Sequence, residues 1–303
     1  MVKPTLLVLA AGMGSRYGSL KQMDGVGPNN EAIIDYSVYD AVRAGFGKVV
    51  FVIRHSFAKE FQEVFSAERF GGRIAVEYVF QELEYLPEGL AVPEGRVKPW
   101  GTNHALMMAA DAIHEPFAVI NADDFYGAEA YETIGAYLKE LDGSRGRYCM
   151  VAYDLNKTLS DNGTVSRGVC GVDAEGNLTS MVERTQIERM PDGQIVFHDG
   201  GADEPLAEDT PVSMNLFGFT PDYFAHSKSY FAEWYARNSG NLKAEFYIPT
   251  MVNKLIGDGE ASLRVLRSAA QWHGVTYKED KPALMAAIER MIAEGKYPRS
   301  LWK

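Results

Sequence analysis

Cysteine, net positive charge and long apolar runs are all scarce in this chain of 303 residues. Its two cysteines, Cys149 and Cys170, are too few for a disulfide framework or a cysteine-based zinc site, so buried free thiols are expected. A net charge of −11 at pH 7 argues against nucleic acid or an anionic membrane as a partner. Apolar runs fall short of the ~18 residues of a membrane helix, and we identify no signal peptide. These absences predict a cytoplasmic globular protein.

Apolar strands alternate with amphipathic helices through the first half of the chain. Strands are predicted at Thr5–Leu9, Lys48–Ile53, Ala75–Phe80 and Phe117–Asn121. Helices are predicted at Ile33–Ala44, Ala58–Phe65, His104–Ala112 and Ala128–Leu141. This alternation predicts an α/β fold with a doubly wound, mostly parallel central sheet, whose ligands bind at the carboxyl ends of the strands.

Hairpin signals replace this alternation from Tyr148 onward. Further strands are predicted at Gly168–Val172, Leu178–Glu183, Gln194–His198, Val212–Phe219 and Ser262–Leu266. Further helices are predicted at Pro221–Asn238, Ala244–Ile256 and Lys281–Glu294. We therefore expect a single domain, 1–303, with halves at 1–147 and 148–303. The segment from Glu82 to Pro99, rich in proline and glycine, is expected to be a long irregular loop.

A glycine-rich loop follows the first predicted strand. Its residues of interest are Ala10, Ala11, Gly12, Gly14, Ser15, Arg16 and Lys21. Glycines let the backbone approach an anion closely, and the two cations could neutralise charge on a departing pyrophosphate. The loop lacks the Gly-Lys-Ser/Thr of a P-loop, and Tyr17 occupies the third glycine position of the dinucleotide fingerprint. The pattern predicts a different nucleotide phosphate site, with a tight turn after the strand as the alternative.

This loop resembles the signature of the sugar nucleotidyltransferases, which join a nucleoside triphosphate and a sugar 1-phosphate with release of pyrophosphate. The resemblance implies a Rossmann-like, glycosyltransferase-A-like sheet, with a nucleotide-binding half followed by a strand-rich sugar-binding half. It also implies that Arg16 and Lys21 contact phosphate and serve catalysis. The nucleotide contacts that it implies are Ala10, Ala11, Gly12, Gly14, Ser15, Gln81, Gly101 and Thr102.

Two adjacent carboxylates, Asp123 and Asp124, follow the predicted strand at Phe117–Asn121. Acidic side chains at the end of a strand that faces a triphosphate loop are suited to Mg²⁺. By resemblance, Asp123 corresponds to the family's catalytic metal ligand. Asp124 is the alternative ligand, or else the cap of the following helix.

A second metal-binding aspartate of the family is missing from its usual place near the C-terminus. The sequence there reads Trp272-His273-Gly274, with glycine at the aspartate position. Asp280 is the nearest replacement as a metal ligand, although a residue just before Pro282 is also a natural helix cap. Alternatively, His273 or water completes the coordination.

Further resemblances concern the base and the sugar. Gln81 ends a predicted strand where uridylyl and thymidylyl enzymes often place a glutamine, and its amide suits the O4/N3–H edge of uracil. Gly101-Thr102-Asn103-His104-Ala105 resembles a family segment beside the nucleotide, although a half-buried helix residue is the simpler expectation for His104. The sugar-phosphate contacts implied by resemblance are Gly168, Glu183, Arg184 and Asn215. Arg184 replaces the lysine that the family uses for the sugar phosphate.

The sequence thus predicts a magnesium-dependent transferase of UMP from UTP to a sugar 1-phosphate, without a side-chain nucleophile. The alternatives are transfer of cytidylyl, guanylyl or thymidylyl groups, a phosphocholine-type acceptor, or a non-catalytic sensor of nucleotide sugars. The loss of a carboxylate at Gly274 favours the sensor, whereas the set of Arg16, Lys21 and Asp123 favours an enzyme. The sequence identifies neither the sugar nor the oligomeric state.

Overall fold

A computed structural model describes residues 2–12, 24–198, 200–275, 277 and 279–303. The predicted site residues Gly14, Ser15, Arg16 and Lys21 lie outside the described residues. The first half contains β1 (Thr5–Leu9), α1 (Ile33–Ala44), β2 (Lys48–Ile53), α2 (Ala58–Val64), β3 (Ala75–Phe80), α3 (Thr102–Met107), β4 (Phe117–Asn121), β5 (Asp124–Phe125) and α4 (Ala128–Glu140). The four strands predicted for this half are confirmed.

The second half is richer in strands. It contains β6 (Arg147–Asp154), β7 (Val165–Val172), β8 (Leu178–Arg189), β9 (Ile195–His198), β10 (Asp203–Leu206), β11 (Pro211–Phe219), α5 (Asp222–Asn238), α6 (Ile248–Gly257), β12 (Ser262–Arg267), β13 (His273–Gly274) and α7 (Asp280–Ala293). Several predicted boundaries were wrong. Helix α3 begins two residues before His104 and ends at Met107, and α6 begins at Ile248 instead of Ala244. Strand β7 begins three residues before Gly168, and β8 continues six residues beyond Glu183.

Eleven strands of the described residues form one sheet. Its order is β10-β9-β8-β7-β11-β4-β1-β2-β3, with β6 beside β11 and β12 beside β6. Strands β4, β1, β2 and β3 are parallel, whereas β11 is antiparallel to β4, and the strands from β7 to β10 continue the antiparallel part. The predicted α/β fold with a doubly wound parallel sheet is therefore confirmed, and the strand-rich half extends that sheet in a mixed arrangement.

Both faces of the parallel strands are covered, as the near-continuous apolar sequence of β1 requires. Leu6 and Val8 point into a core shared with Val38 of α1, on one face of the sheet. Leu7 points to the opposite face, into a core shared with Leu106 of α3. Because these strands are parallel, the carboxyl ends of β1, β3 and β4 lie at one edge, where their loops form the candidate site.

Both cysteines are buried and free, as expected. No helix within the described ranges is long and apolar enough to span a bilayer.

Candidate active site

Two adjoining clefts open at the carboxyl edge of the parallel strands. We call them the β1 cleft, whose walls include Ala11, Gly12 and Asp123, and the β7 cleft, whose walls include Asp124 and Glu183. Their volumes are about 230 Å³ and about 190 Å³, and they share a wall residue, Asn121. Neither cleft alone reaches the ~300–1,000 Å³ of a typical small-molecule site, whereas the pair does. We therefore infer that the two clefts are halves of one site.

Strand pairing explains why the β1 cleft collects residues that are distant in sequence. Leu9 at the end of β1 pairs with Asn121 at the end of β4, so the segments that follow both strands emerge side by side. Ala122 donates a backbone hydrogen bond of 3.2 Å to the carbonyl of Leu9. Most of the predicted nucleotide contacts in the described part of the chain line this cleft, namely Ala11, Gly12, Gln81, Gly101 and Thr102. Ala10 is buried beside them, with 1% of its surface exposed.

Gln81 is held in the wall of the β1 cleft by its amide nitrogen. Its Nε2 donates to the carbonyl of Gly101 at 3.1 Å and lies 3.2 Å from Nδ1 of His104. His104 is fully buried, not half-buried as expected, and its Nε2 lies 2.7 Å from the carbonyl of Tyr85. Burial lowers the pKa of His104 to about 4, so the ring is neutral at pH 7.

Gly101 is required by the fold itself. Its φ of +101° favours glycine, and a Cβ there would meet the backbone of Phe246, with its carbonyl oxygen at 2.6 Å. The hydroxyl of Thr102 accepts a hydrogen bond of 3.2 Å from the backbone N–H of Ile248. The segment before α6 therefore packs against the start of α3, which explains why α6 begins later than the sequence predicted.

Asp123 and Asp124 are consecutive, yet they line different clefts. Asp123 lines the β1 cleft, and Asp124 lines the β7 cleft, where its Oδ2 accepts hydrogen bonds from Asn121 Nδ2 at 3.0 Å and Tyr126 Oη at 3.3 Å. Burial and the neighbouring Asp123 carboxylate raise the pKa of Asp124. The helix-cap alternative for Asp124 was wrong, since α4 is capped by Gly127. Asp124 instead belongs to β5, which places it in the wall of the site.

The glycine at the expected position of the second aspartate has a local cause. Gly274 in β13 pairs directly with Asp124 in β5. A Cβ at Gly274 would lie 2.2 Å from the ring of Trp272, so the indole fills the space that any side chain there would need. Trp272 itself lines the β7 cleft.

Asp280, the predicted replacement ligand, lies at the start of α7 with its carboxylate in hydrogen bonds. Its Oδ1 accepts from Ser160 Oγ and from Asn162 Nδ2, both at 2.8 Å, and its Oδ2 accepts from the backbone N–H of Tyr277 at 2.7 Å. It is absent from the walls of both clefts. The described residues contain no group of three or more acidic, histidine or cysteine side chains suited to a metal ion.

Three of the predicted sugar contacts meet in the β7 cleft: Gly168, Glu183 and Asn215. Gly168 and Glu183 are directly paired across β7 and β8. Asn215 has a φ of +61° where β11 changes register between Ser213 and Phe217. Asparagine tolerates this left-handed conformation better than most residues, and such irregularities often aim a side chain into a site.

Among the described residues, the cation in the wall of the β7 cleft is Arg167, which the sequence analysis did not single out. It is 6% exposed, donates to the carbonyl of Ser166 at 2.8 Å, and lies 4.8 Å from the ring centroid of Trp272. Burial lowers its pKa to about 10, opposed by the charges of Asp124 and Glu183, so it stays positive at pH 7. An arginine inside a strand gave no sequence signal beyond its proximity to Gly168.

The structure does not bring Arg184 to either cleft. Its guanidinium lies 4.5 Å from the ring centroid of Phe197 and is not part of the wall formed by Glu183. Asn121, at the junction of the clefts, was also missed, although its place at the end of β4 was a usable signal.

Solved structures with the same fold show what kinds of protein this chain is similar to. One is described as a glucose-1-phosphate thymidylyltransferase of Bacillus anthracis, solved with sucrose; it is 16% identical, with a TM-score of 0.62 over 94% of both chains. A UDP-glucose pyrophosphorylase solved with UDP-glucose is 16% identical, with a TM-score of 0.59 over 95% of this chain and 99% of that one. The inositol-1-phosphate CTP transferase of T. maritima is 11% identical, with a TM-score of 0.61 over 95% and 97%.

No curated protein matches the chain in a comparison of sequences. The family model for nucleotidyl transferases matches residues 6–290, which include the residues that line both clefts and all of the sheet except Thr5. The chain therefore belongs to the nucleotidyl transferase family.

Proposed function

We propose that this protein is a magnesium-dependent nucleotidyltransferase that moves UMP from UTP to a sugar 1-phosphate and releases pyrophosphate. The observation that carries the proposal is the placement of Asp123 and Asp124 in two clefts that meet at Asn121. A nucleotide in the β1 cleft and a sugar phosphate in the β7 cleft would bring their phosphates together at that junction. Solved proteins with the same fold are described as transferases for similar substrates, including a glucose-1-phosphate thymidylyltransferase.

In the proposed reaction, a phosphate oxygen of the sugar phosphate attacks the α-phosphorus of the triphosphate in line. The new P–O bond replaces the bond to the leaving pyrophosphate, so no protein side chain forms a covalent intermediate. Arg16 and Lys21 would neutralise the pyrophosphate, as their family resemblance implies. The protein contributes mainly position and charge.

The residues of the site fit magnesium. A hard cation takes oxygen ligands, and Mg²⁺ is commonly held by one or two carboxylates together with substrate phosphates. Asp123 in the β1 cleft supplies such a carboxylate. Magnesium would neutralise phosphate charge there, which requires no dedicated cage of three acidic residues, consistent with the described part of the chain.

In the β7 cleft, carboxylates and an amide would bind the sugar. Glu183 and Asn215 are suited to sugar hydroxyls, because carboxylate and amide oxygens accept hydrogen bonds from them. Arg167 is suited to the sugar phosphate, a role that the family resemblance alone would give to Arg184. Cytidylyl, guanylyl and thymidylyl transfer are the alternatives at the donor.

A screen for pyrophosphate release tests the proposal. Each of the common nucleoside triphosphates is paired with a panel of sugar 1-phosphates, and with inositol 1-phosphate and phosphocholine, in the presence of Mg²⁺. We expect the highest turnover with UTP and a hexose 1-phosphate. Turnover with another donor would replace the uridylyl assignment, whereas nucleotide binding without turnover by any pair would favour a sensor.

A further inference from the structure

A buried histidine lies within hydrogen-bond distance of Gln81 in the wall of the β1 cleft. His104 and Gln81 are 0% and 6% exposed, and they form a chain of hydrogen bonds that ends at the carbonyl of Tyr85. That carbonyl can only accept, so the imidazole carries its proton on Nε2 and leaves Nδ1 as an acceptor. The group that Gln81 presents to Nδ1 must therefore be its NH₂.

A second acceptor fixes the same orientation independently. The carbonyl of Gly101 lies 3.1 Å from Nε2 of Gln81, and it too can only accept a hydrogen bond. Reversing the amide would place Oε1 of Gln81 against two acceptors, the Gly101 carbonyl and Nδ1 of His104, in a buried setting. Unpaired buried polar groups cost ~1–3 kcal/mol each, so the reversed amide is strongly disfavoured.

Gln81 therefore offers the β1 cleft a hydrogen-bond acceptor, because both of its amide protons are engaged with Gly101 and His104. An acceptor at this point pairs with the imide N3–H of uracil or thymine. It opposes N3 of cytosine, which is itself an acceptor. The neutral ring sustains this pattern, since burial holds the pKa of His104 at about 4.

We infer that His104 is a positioning residue for base selection: it holds the Gln81 amide with its oxygen toward the nucleotide, so that the site selects an imide base, uracil or thymine, over cytosine. This inference rests on the proposed function and deepens it. His104 does not touch the nucleotide in this scheme and acts only through Gln81.

Two isosteric replacements of His104 separate this role from a purely structural one. In His104→Asn, the amide oxygen takes the place of Nδ1, so the acceptor for Gln81 is kept while the donor to Tyr85 is lost. In His104→Gln, the amide nitrogen takes the place of Nε2, so the donor to Tyr85 is kept while the acceptor is lost. Ser227→Ala is the matched control, since it deletes a buried hydrogen bond of 3.1 Å from Asn103 on the same helix.

The measurement is kcat/KM with UTP and with CTP at a saturating sugar 1-phosphate, together with the melting temperature of each variant. We expect His104→Gln to lower the UTP/CTP ratio on the order of tenfold, the effect of one hydrogen bond. His104→Asn and Ser227→Ala should keep the wild-type ratio. In a Gln81→Ala background, His104→Gln should change the ratio no further.

Several results would overturn the inference. They are a wild-type preference for CTP, a ratio that falls in His104→Asn but not in His104→Gln, and a ratio that His104→Gln still changes after Gln81 is removed. If the enzyme turns over while giving any of these results, the inference about His104 fails but the proposed nucleotidyl transfer does not. If no pair of substrates turns over, the proposed function fails, and calorimetric binding of UDP and CDP to the same variants measures the ratio instead. Equal affinities for the two nucleotides would then reject the inference as well.

Discussion

At the scale of single residues, the junction of the two clefts contains two consecutive carboxylates whose side chains line different clefts. Asp123 lies in the turn between β4 and β5 and lines the β1 cleft, whereas Asp124 begins β5 and lines the β7 cleft. Asn121 connects the clefts and donates a hydrogen bond to Asp124. Neighbours in sequence therefore line two different clefts, so under the proposed function their substitutions should have separable effects.

The first prediction separates the two carboxylates. Asp123→Asn should lower kcat on the order of a hundredfold and raise the Mg²⁺ concentration for half-maximal activity, because an amide is a weaker ligand for a hard cation. Asp124→Asn should retain the wild-type Mg²⁺ requirement and change mainly KM for the sugar phosphate. Steady-state kinetics across a magnesium titration measure both effects. If Asp124→Asn alone shifts the magnesium requirement, Asp124 is the ligand.

The second prediction concerns Arg167, the cation that we propose holds the sugar phosphate. Arg167→Met should raise KM for the sugar phosphate at least tenfold with little change in KM for UTP, because Arg167 lines the β7 cleft. Arg184→Met removes an equal charge beside Phe197, outside that wall, and should leave both constants within about threefold. Kinetics are compared only between variants with two-state melting curves. A larger increase in KM for the sugar phosphate in Arg184→Met than in Arg167→Met would show that Arg184 binds the sugar phosphate, as the family resemblance implies.

At the scale of secondary structure, elements specified by their own sequence were predictable, and those fixed by distant contacts were not. Strands β1, β2 and β4 are buried apolar runs, whereas β3 is a partly exposed strand at the edge of the sheet. The predicted bounds of all four agree with the structure residue for residue. The late start of α6 was unpredictable because the preceding segment pairs with the backbone around Gly101. Strands β5 and β13 have two residues each, too few to give a hydrophobic period, although they place Asp124 and Trp272.

The third prediction tests whether Asp280 stabilises the fold by linking two parts of the chain. Its carboxylate joins the start of α7 to the loop at Ser160 and Asn162. The N-cap of α7 is Glu279, so the helix-cap alternative for Asp280 was wrong. Asp280→Ala should lower the free energy of unfolding by about 1–2 kcal/mol through the loss of its hydrogen bonds, while the Mg²⁺ requirement stays unchanged. Urea unfolding and a magnesium titration of Asp280→Ala and Asp280→Asn provide the two measurements. A raised magnesium requirement in both variants would instead favour Asp280 as a ligand.

At the scale of the whole molecule, the strand pairing of the sheet explains which site residues could be predicted from the sequence. Residues at the ends of β1, β3 and β4 were predictable, because parallel strands bring their carboxyl ends to one edge. Arg167 was not, since its place depends on how β7 joins the sheet through β11. The first half of the site thus follows from local patterns, whereas the second half depends on long-range antiparallel pairing.

The last prediction concerns the stability of the whole fold and an acid that lies away from the clefts. Asp40 in α1 is 1% exposed; it accepts a hydrogen bond of 2.6 Å from Tyr297 Oη, and its Oδ1 has no hydrogen-bond partner. Burial raises the pKa of Asp40 to about 7 from an ordinary value of 3.8. The folded protein therefore keeps this proton between about pH 4 and pH 7, where the unfolded chain has released it.

Since the folded state binds the extra proton in that window, the Asp40 contribution to stability falls as pH rises from about 4 to about 7, by about 1.4 kcal/mol per pH unit at most. Asp40→Asn cannot ionise, so its free energy of unfolding relative to wild type should rise by that slope and level off above pH 7. Urea unfolding at several pH values measures this difference, in which the titrations of other groups largely cancel. Tyr297→Phe, which removes a hydrogen bond to the carboxylate, should extend the slope to higher pH. A difference between Asp40→Asn and wild type that stays flat from pH 4 to pH 8 would show that Asp40 is ionised in the fold, stabilised by Arg43 at 3.9 Å.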